Sequence, residues 1–268
     1  MLNKLLLIFQ KKTSGRLFYQ KFFQKLLDIS ILGLNYNNCD ISNNGEKNVV
    51  LLIKQTLEKK HQSKIIFDVG ANIGNYSQLL TEVLGTKNIT IYAFEPSNQT
   101  FRKLLSKFAS SDHVRLCNFG LSNTEEVLPL FSCTGEIESS LASVYKRDIT
   151  HIGIEMQEIE KISLDTIDNF CNKNNIDHID FIKLDVEGHE LKVLMGAQKM
   201  LAQKRINTIQ FEFGGCNIDS RTYFKDYYKL LINNYKIFRI LKDGLSPIEK
   251  YDESLEIFKY SNYLAIIK

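Results

Sequence analysis

The stretch Ile65–Asn75, IIFDVGANIGN, decides how the rest of the chain is interpreted. An apolar, β-rich run ends at Asp68 and leads into a loop with glycines at Gly70 and Gly74. In open α/β sheets, a strand that stops in an acid and a tight glycine turn presents backbone N–H groups and a carboxylate to a nucleotide-like cofactor. A dinucleotide-binding loop would read G-x-G-x-x-G, but Asn72 takes the place of the middle glycine. The loop therefore predicts a cofactor without a pyrophosphate.

A second short strand is predicted over Ile89–Phe94, and it ends at Glu95 and Pro96. Glu95 follows the glycine loop by about 20 residues, where a carboxylate can accept both hydroxyls of an adenosine ribose. Pro96 cannot donate to a strand ladder, so it ends the strand and leads into a helix predicted over Gln99–Phe108. The loop and the ribose acid together predict S-adenosylmethionine, whose amino acid end is positively charged.

Two further strands are predicted to end at the same edge of the sheet. They cover Ile179–Leu184 and Ile206–Phe213, and acidic residues stand at both ends. Doubly wound sheets hold their ligands at the carboxyl ends of their strands. The candidate catalytic residues at these ends are Asp185, Glu187, His189 and Glu212.

A hydroxyl has to lose a proton when it is methylated, so one of these residues would act as a base in such a reaction. His189 is preferred, because its ordinary pKa is about 6.5 and a neighbouring carboxylate would raise it. Asp185, Glu187 and Glu212 are the alternatives. Asp185 and Glu187 could also bind a divalent metal, but no third ligand stands at an obvious spacing, and no metal is predicted.

Four segments resemble the ordered motifs of the FkbM family of S-adenosylmethionine-dependent methyltransferases. They are DVGANIGNYS (68–77), FEPSNQTFRKL (94–104), NFGLS (118–122) and IDFIKLDVEGHELKVLMGA (179–197). The resemblance covers roughly Ile65–Lys268 and implies O-methylation of a hydroxyl on a small-molecule, sugar, glycan or natural-product acceptor. The positions expected to contact the cofactor are Asp68, Gly70, Asn72, Gly74, Asn75, Glu95, Pro96, Asn118, Gly120, Leu121 and Asp185.

The predicted fold class is α/β, a Rossmann-like class I methyltransferase fold. We expect a seven-stranded, mostly parallel sheet with helices on both faces and a C-terminal antiparallel hairpin of Tyr235–Leu241 and Ser261–Lys268. Residues 1–63 are predicted to form a helical extension, and residues 64–268 the methyltransferase domain. Within that domain, residues 127–160 are expected to form an insertion or lid.

Several element boundaries follow from local signals. Apolar residues at helical spacing predict an amphipathic helix over Leu17–Leu32, and a second helix is predicted over about Asn48–Glu58. A third strand is predicted over Val114–Phe119, before a turn at Gly120. The stretch Ile162–Phe170 is expected to open a helix capped by Ser163 or Asp165. The last helix is predicted over Tyr223–Asn233.

Composition limits the classes of partner and compartment. The chain has 268 residues, of which 44% are hydrophobic, and a formal net charge of only +3, so nucleic acid is not the expected partner. Five cysteines form no C-x-x-C pair, and the N-terminal apolar stretch is too short to span a bilayer. These features predict a cytoplasmic protein without an integral membrane segment.

Each candidate residue also has a simpler explanation. Asp68 could cap the glycine turn, Glu95 could be an exposed turn acid, and His189 could be a solvated residue in a helix's first turn. Glu190 is expected to be no more than a favourable charge at a helix N-terminus. The N-terminal apolar stripe could form core or homodimer contacts, or anchor the chain to a membrane.

Two other function classes are open. An NAD(P)-binding protein would need a third glycine where Asn75 and Tyr76 stand, and a non-catalytic scaffold would be expected to lose the acids at the strand ends. Residues that could touch an acceptor in the predicted insertion are Ser139, Ser140, Tyr145, Lys146 and Arg147.

Overall fold

A central β-sheet carries the fold, in a computed structural model that describes residues 2–40, 43–60, 62–133 and 141–268. The strands in this part of the chain are β1 (Lys64–Val69), β2 (Ile89–Phe94), β3 (Val114–Cys117), β4 (Gly120–Leu121), β5 (Glu126–Cys133), β6 (Met156–Asp165), β7 (Ile179–Leu184), β8 (Ile206–Phe213), β9 (Tyr235–Leu241), β10 (Gly244–Ile248) and β11 (Ser261–Ile267). The α-helices are α1 (Leu2–Thr13), α2 (Gln20–Gly33), α3 (Glu46–Leu57), α4 (Asn75–Leu84), α5 (Asn98–Phe108), α6 (Ile167–Lys173), α7 (Glu190–Met195), α8 (Gln198–Ala202), α9 (Cys216–Ser220) and α10 (Phe224–Leu231).

The sheet order of the described strands is β10-β9-β11-β8-β7-β1-β2-β3. Strands β3, β2, β1, β7 and β8 run parallel, whereas β11 pairs antiparallel with both β8 and β9. This arrangement confirms the predicted fold class of a mostly parallel sheet with an antiparallel C-terminal end. It also brings the carboxyl ends of β1, β2, β7 and β8 to one edge.

The sheet has one strand more than the predicted seven. The additional strand β10 lies in the segment that was expected to be only a turn and a polar stretch, and it pairs antiparallel with β9. Pro247 within β10 weakens the sequence signal for a strand, yet proline is tolerated there because β10 is an edge strand.

Helices cover both faces of the sheet, as predicted. Alternate residues of β1 point to opposite faces: Ile66 joins a buried cluster with residues of α3, α4 and α5. Phe67 joins the other cluster, with residues of α6, α7, α8 and α10. Strands buried on both faces explain the nearly continuous apolar runs in their sequences.

A second, three-stranded sheet of order β4-β6-β5 lies outside the central one. Gly120 and Leu121 form its short strand β4 instead of the predicted turn, and β3 ends at Cys117, earlier than predicted. Strands β5 and β6 are paired antiparallel and fall largely within the predicted insertion 127–160. Residues 134–140 of that insertion, including Ser139 and Ser140, lie outside the described residues.

The predicted cap of the helix after β6 was wrong. Ile162–Asp165 ends strand β6, and the hydroxyl of Thr166 caps α6 by accepting the backbone N–H of Asn169 at 3.0 Å. Asp165 instead accepts hydrogen bonds from the Asn169 amide and the Lys173 amine. Pairing with β5 therefore overrides the local cap signal of Ser163 and Asp165.

The predicted N-terminal extension contains three helices. Helix α3 packs on the sheet, where Val50 and Ile53 belong to the same buried cluster as Ile66. Helix α2 corresponds to the predicted amphipathic segment and is preceded by a 3-10 turn at Leu17–Tyr19, while α1 was not predicted. The boundary between extension and domain at residues 63 and 64 stays a prediction.

Among the described helices, none combines the length and apolar character needed to cross a bilayer.

Candidate cofactor and acceptor site

A cavity of about 670 Å³ opens at the edge where β1, β2, β7 and β8 end. This volume lies within the range of roughly 300–1,000 Å³ typical of small-molecule sites. The walls of one part include six of the expected cofactor contacts, namely Gly70, Asn72, Glu95, Pro96, Gly120 and Leu121. The walls of the other part include all four catalytic candidates, Asp185, Glu187, His189 and Glu212.

Glu95 is fixed at the end of β2 by the backbone around it. One carboxylate oxygen accepts the N–H of Asn72 at 2.9 Å and the other accepts the N–H of Ser97 at 2.9 Å. Its side chain is buried, with 8% of the residue exposed, and burial raises its pKa to about 7. Glu95 is therefore not the exposed turn acid of the simpler explanation. It joins the glycine loop to the start of α5.

The glycine loop is held between two strand ends. The N–H groups of Gly70 and Ala71 both donate to the carbonyl oxygen of Phe94, at 3.0 and 2.9 Å. Gly70 has a φ of +80°, and a Cβ at this position would collide with the carbonyl oxygen of Asp185. The loop thus needs glycine for its conformation and for its close approach to the turn after β7.

Asp68 lies beneath the loop, is fully buried and is not among the described residues that line the cavity. Its Oδ2 accepts the Ser77 hydroxyl at 2.6 Å, whereas its Oδ1 has no hydrogen-bond partner among the described residues. Burial raises the pKa of this carboxyl. An unpartnered buried carboxylate oxygen is an acceptor that a cationic donor can satisfy.

Three other expected cofactor contacts hold neighbouring elements together and are not among the described lining residues of this cavity. Gly74 precedes α4 with a φ of +84°. The Oδ1 of Asn75 accepts the Lys107 amine at 2.9 Å, and the Asn118 amide donates to the carbonyl oxygen of Glu95 at 3.0 Å. Their contact with a cofactor stays a prediction.

Carboxylates dominate the far part of the cavity. Asp185 accepts the Lys183 amine at 2.7 Å, and Glu187 accepts Nη1 of Arg147 at 2.7 Å. Burial and the charge of Asp185 raise the pKa of Glu187 to about 8. Burial also raises the pKa of Glu212 well above its ordinary value, and the neighbouring carboxylates add to the shift. These acids face the cavity, as the strand-end positions predicted.

His189 lies in an environment that contradicts two expectations. It is buried, and its Nε2 lies 2.9 Å from the Ser122 hydroxyl while its Nδ1 lies 3.0 Å from the Tyr145 hydroxyl. Burial lowers its pKa to about 4, because the nearest partners are neutral hydroxyls and Glu126 compensates only in part. The predicted increase of its pKa was wrong, and so was the solvated first-turn alternative.

The segment from Ser143 to Arg147 is fastened to the turn after β7. The Ser143 hydroxyl donates to the carbonyl oxygen of Glu187 at 2.8 Å, next to the Arg147 and Tyr145 contacts described above. Among the predicted acceptor residues, Arg147 lines the cavity and Tyr145 supports His189. This segment therefore connects the predicted insertion to the acidic part of the site.

Sequence reasoning missed two charged residues that organise the acids. Glu190 was expected to be only a helix-terminal charge, but it is fully buried and accepts the N–H groups of Val186 and Gly188 at 2.9 and 3.1 Å. The buried Lys183 holds Asp185 and lies 4.7 Å from the centre of the Tyr76 ring. A lysine inside an apolar strand, two residues before an acid, is the signal that could have indicated this role.

Within the described residues, no three or more His, Cys, Asp or Glu side chains are grouped so that they could hold a metal ion.

The buried acids predict that stability falls as pH rises through neutrality. Folding raises the pKa of Glu95 and Glu190 to about 7 and that of Glu187 to about 8, from 4.5, so the folded state binds more protons. Their contribution is fully present below pH 4.5 and is lost as pH rises through about 7 to 8. Urea unfolding should show a loss of roughly 3 kcal/mol or more between about pH 5 and about pH 8.

A matched pair of variants tests this pH prediction. Glu190→Gln mimics the protonated acid and should reduce the dependence of stability on pH by the contribution of this one acid, whereas the exposed Glu82→Gln should leave it unchanged. A stability that is level or rises over this interval would contradict proton uptake by these acids.

Comparison with known proteins identifies the family. The family model described as the Methyltransferase FkbM domain matches residues 68–237, more than half of the chain. This chain belongs to the FkbM methyltransferase family. The family assignment agrees with the four motifs, and the matched range includes the eleven predicted residues that line the cavity.

Two curated relatives of this FkbM methyltransferase domain are methyltransferases by name. The hexuronic acid methyltransferase AglP of Haloferax volcanii is 28% identical over 173 residues, covering 63% of this chain and 64% of AglP. The 2-O-methyltransferase NoeI of Sinorhizobium fredii is 22% identical over 149 residues, covering 53% of this chain and 60% of NoeI. The chain thus spans less than two thirds of the length of either relative.

Solved structures include a methyltransferase FkbM from Methylobacillus flagellatus, with 18% identity and a TM-score of 0.45. That alignment covers 76% of this chain and 43% of the other chain. A SAM-dependent O-methyltransferase from Thermotoga maritima aligns with 13% identity and a TM-score of 0.39, covering 82% of this chain and 65% of that one.

Proposed function

We propose that this protein transfers a methyl group from S-adenosylmethionine to a hydroxyl of a sugar, glycan or natural-product acceptor. The observation that carries the proposal is that one and the same cavity is lined by Glu95 and the glycine loop in one part and by Asp185, Glu187 and Glu212 in the other. Membership of the FkbM methyltransferase family and the names of AglP and NoeI support the reaction and the acceptor class.

The residues of the site fit this cofactor. S-Adenosylmethionine carries a sulfonium and an ammonium, and the cavity has several carboxylates on its walls against the single cation Arg147 among its described lining residues. Glu95 would accept the ribose hydroxyls, and the unpartnered Oδ1 of Asp68 would accept a donor from the amino acid end. The same charges disfavour a dinucleotide, whose pyrophosphate is anionic.

The chain's own contribution to the reaction is positioning and proton removal. When bound, the cofactor supplies an electrophilic methyl group on sulfur. The cavity walls would hold the acceptor oxygen in line with that methyl and limit access of water. Glu187 would take the hydroxyl proton on its carboxylate, since a base with a pKa near the working pH is efficient. Arg147 and Lys183 would orient Glu187 and Asp185.

The binding step is testable without knowledge of the acceptor. Calorimetric titration of the full chain should show binding of S-adenosylmethionine and S-adenosylhomocysteine and none of NAD. Transfer of a labelled methyl group onto fractionated glycans and small metabolites would then identify the acceptor. Binding of NAD alone would overturn the proposal in favour of a dinucleotide-binding protein.

The base is tested with that acceptor and matched isosteric variants. Glu187→Gln should lower kcat by roughly a hundredfold to ten-thousandfold and remove the rise of rate with pH through about 8. His189→Gln should cost about tenfold or less, because a buried imidazole with a pKa near 4 is a weak base. The kcat values of Asp185→Asn and Glu212→Gln measure how much the other two acids contribute to removal of the hydroxyl proton. Loss of turnover in His189→Gln with normal rates in Glu187→Gln would return the role to the histidine.

The proposal extends to location and partners. A cytoplasmic location is supported by five free cysteines, which suit a reducing compartment. A nucleic acid acceptor is disfavoured by the net charge of +3 and the acidic cavity. A homodimer through the N-terminal helices stays a prediction.

A further inference from the structure

The tip between α1 and α2 exposes two large apolar side chains. Leu17 is 89% exposed and Phe18 is 88% exposed, in the 3-10 turn that joins the two helices. Phe9 of α1 packs against Phe22 and Phe23 of α2, with ring centroids 6.3 and 6.2 Å apart. The two helices therefore contact each other while the tip projects its apolar side chains into solvent.

One face of α2 continues this apolar surface. Phe22, Leu26 and Ile29 follow one another at helical spacing and are all exposed. Gln20, Gln24 and Asp28 lie on the other side of the helix, together with Leu27, which is 53% exposed. We call the exposed apolar residues of the tip and this face, Leu17, Phe18, Phe22, Leu26 and Ile29, the N-terminal apolar surface.

The residues around this surface are strongly basic. The segment 2–34 contains six basic residues and a single acid, Asp28, so its excess of five positive charges is larger than the +3 of the whole chain. All six basic side chains are exposed: Lys4, Lys11, Lys12, Arg16, Lys21 and Lys25. Exposed apolar residues with lysine and arginine beside them are typical of helices that lie in a membrane interface.

We infer that the N-terminal apolar surface binds a membrane surface rich in anionic lipid. Leu17 and Phe18 enter the boundary between headgroups and acyl chains, and the basic residues contact the headgroups. The positive charge of this segment favours an anionic membrane over a second copy of the chain as the partner of this surface. Two such surfaces facing each other would bring two basic segments together, whereas anionic lipid neutralises the charge. The helices lie in the interface and do not cross it.

Vesicle flotation of the full chain tests the inference. The chain should float with vesicles of phosphatidylcholine and phosphatidylglycerol, bind pure phosphatidylcholine much less, and dissociate as salt is raised. The double variant Leu17→Ser and Phe18→Ser should lower the partition coefficient by roughly a hundredfold. The double variant Arg16→Gln and Lys21→Gln should lower it by about tenfold or more.

Control variants separate this surface from exposed residues elsewhere. Leu105→Ser on α5 and Lys229→Gln on α10 replace an exposed leucine and an exposed lysine and should change binding by less than about twofold. Circular dichroism and urea unfolding check that each variant is folded, so the result is independent of the methyl-transfer proposal.

Two results would overturn the inference. One is a folded chain that does not float with the anionic vesicles, or floats equally well after the Leu17→Ser and Phe18→Ser change. The other is a dimer in vesicle-free solution that this change dissociates, with no binding to vesicles, which would assign the surface to a second copy.

Discussion

Glu95→Ala is expected to lower the affinity for S-adenosylmethionine by about a hundredfold or more. The change removes the carboxylate at the end of β2 that would accept the ribose hydroxyls. It also leaves the backbone N–H groups of Asn72 and Ser97 without their acceptors, so the glycine loop loses its link to α5. Calorimetric titration with S-adenosylmethionine and S-adenosylhomocysteine measures the loss.

The controls for this variant separate charge from shape. Glu95→Gln keeps the size of the side chain but offers only one acceptor oxygen, so its affinity should lie between wild type and Glu95→Ala. The exposed Glu82→Gln on α4 should bind as wild type. Unchanged affinity in a folded Glu95→Ala would show that the ribose lies elsewhere.

Gly70→Ala is expected to destabilise the folded state by roughly 3 kcal/mol or more and to abolish cofactor binding. Two costs combine at this position. The φ of +80° disfavours a side chain, and the added Cβ would collide with the carbonyl oxygen of Asp185. To relieve the collision, the glycine loop has to move away from the turn after β7, and this turn carries the acids of the site. Urea unfolding and cofactor titration measure the two effects.

Gly153→Ala isolates the conformational cost. Gly153 has a similar φ of +78° in the left-handed helical region, but a Cβ there meets nothing within 4 Å. This variant should lose only about 1 kcal/mol and keep its affinity for the cofactor. Equal stability of the two alanine variants would show that the contact between Gly70 and Asp185 is not tight.

Sequence patterns predicted the central sheet, and they predicted that its strands end at a common edge. The reason is physical. Parallel strands buried on both faces give uninterrupted apolar runs, and each run ends in the residues that face the ligand edge. Glu95, Asp185 and Glu212 were therefore expected at this edge from their positions at the ends of such runs, and all three line the cavity. The extra strand β10 escaped prediction because it is an edge strand with a proline.

The environments of the polar residues could not be predicted in the same way. His189 was expected to be near a carboxylate, yet Ser122 and Tyr145, far away in the sequence, supply its neighbours. A pKa depends on burial and on such tertiary partners, and a single sequence does not show either of them. The buried chain from Glu46 through Gln210 to Tyr76 is another case, since its hydrogen bonds of 2.7 and 2.9 Å join three distant segments.

Strand β11 follows β9 and β10 in the chain but lies between β9 and β8 in the sheet. During synthesis the β9–β10 hairpin therefore has no edge on which to dock until residues 261–267 leave the ribosome. Until then, β8 and β9 each expose an unpaired backbone edge, which is prone to aggregation. A premature stop shortly before Ser261 should thus yield a chain that chaperones and proteases remove, even though nearly all of the cavity's lining residues have already been made.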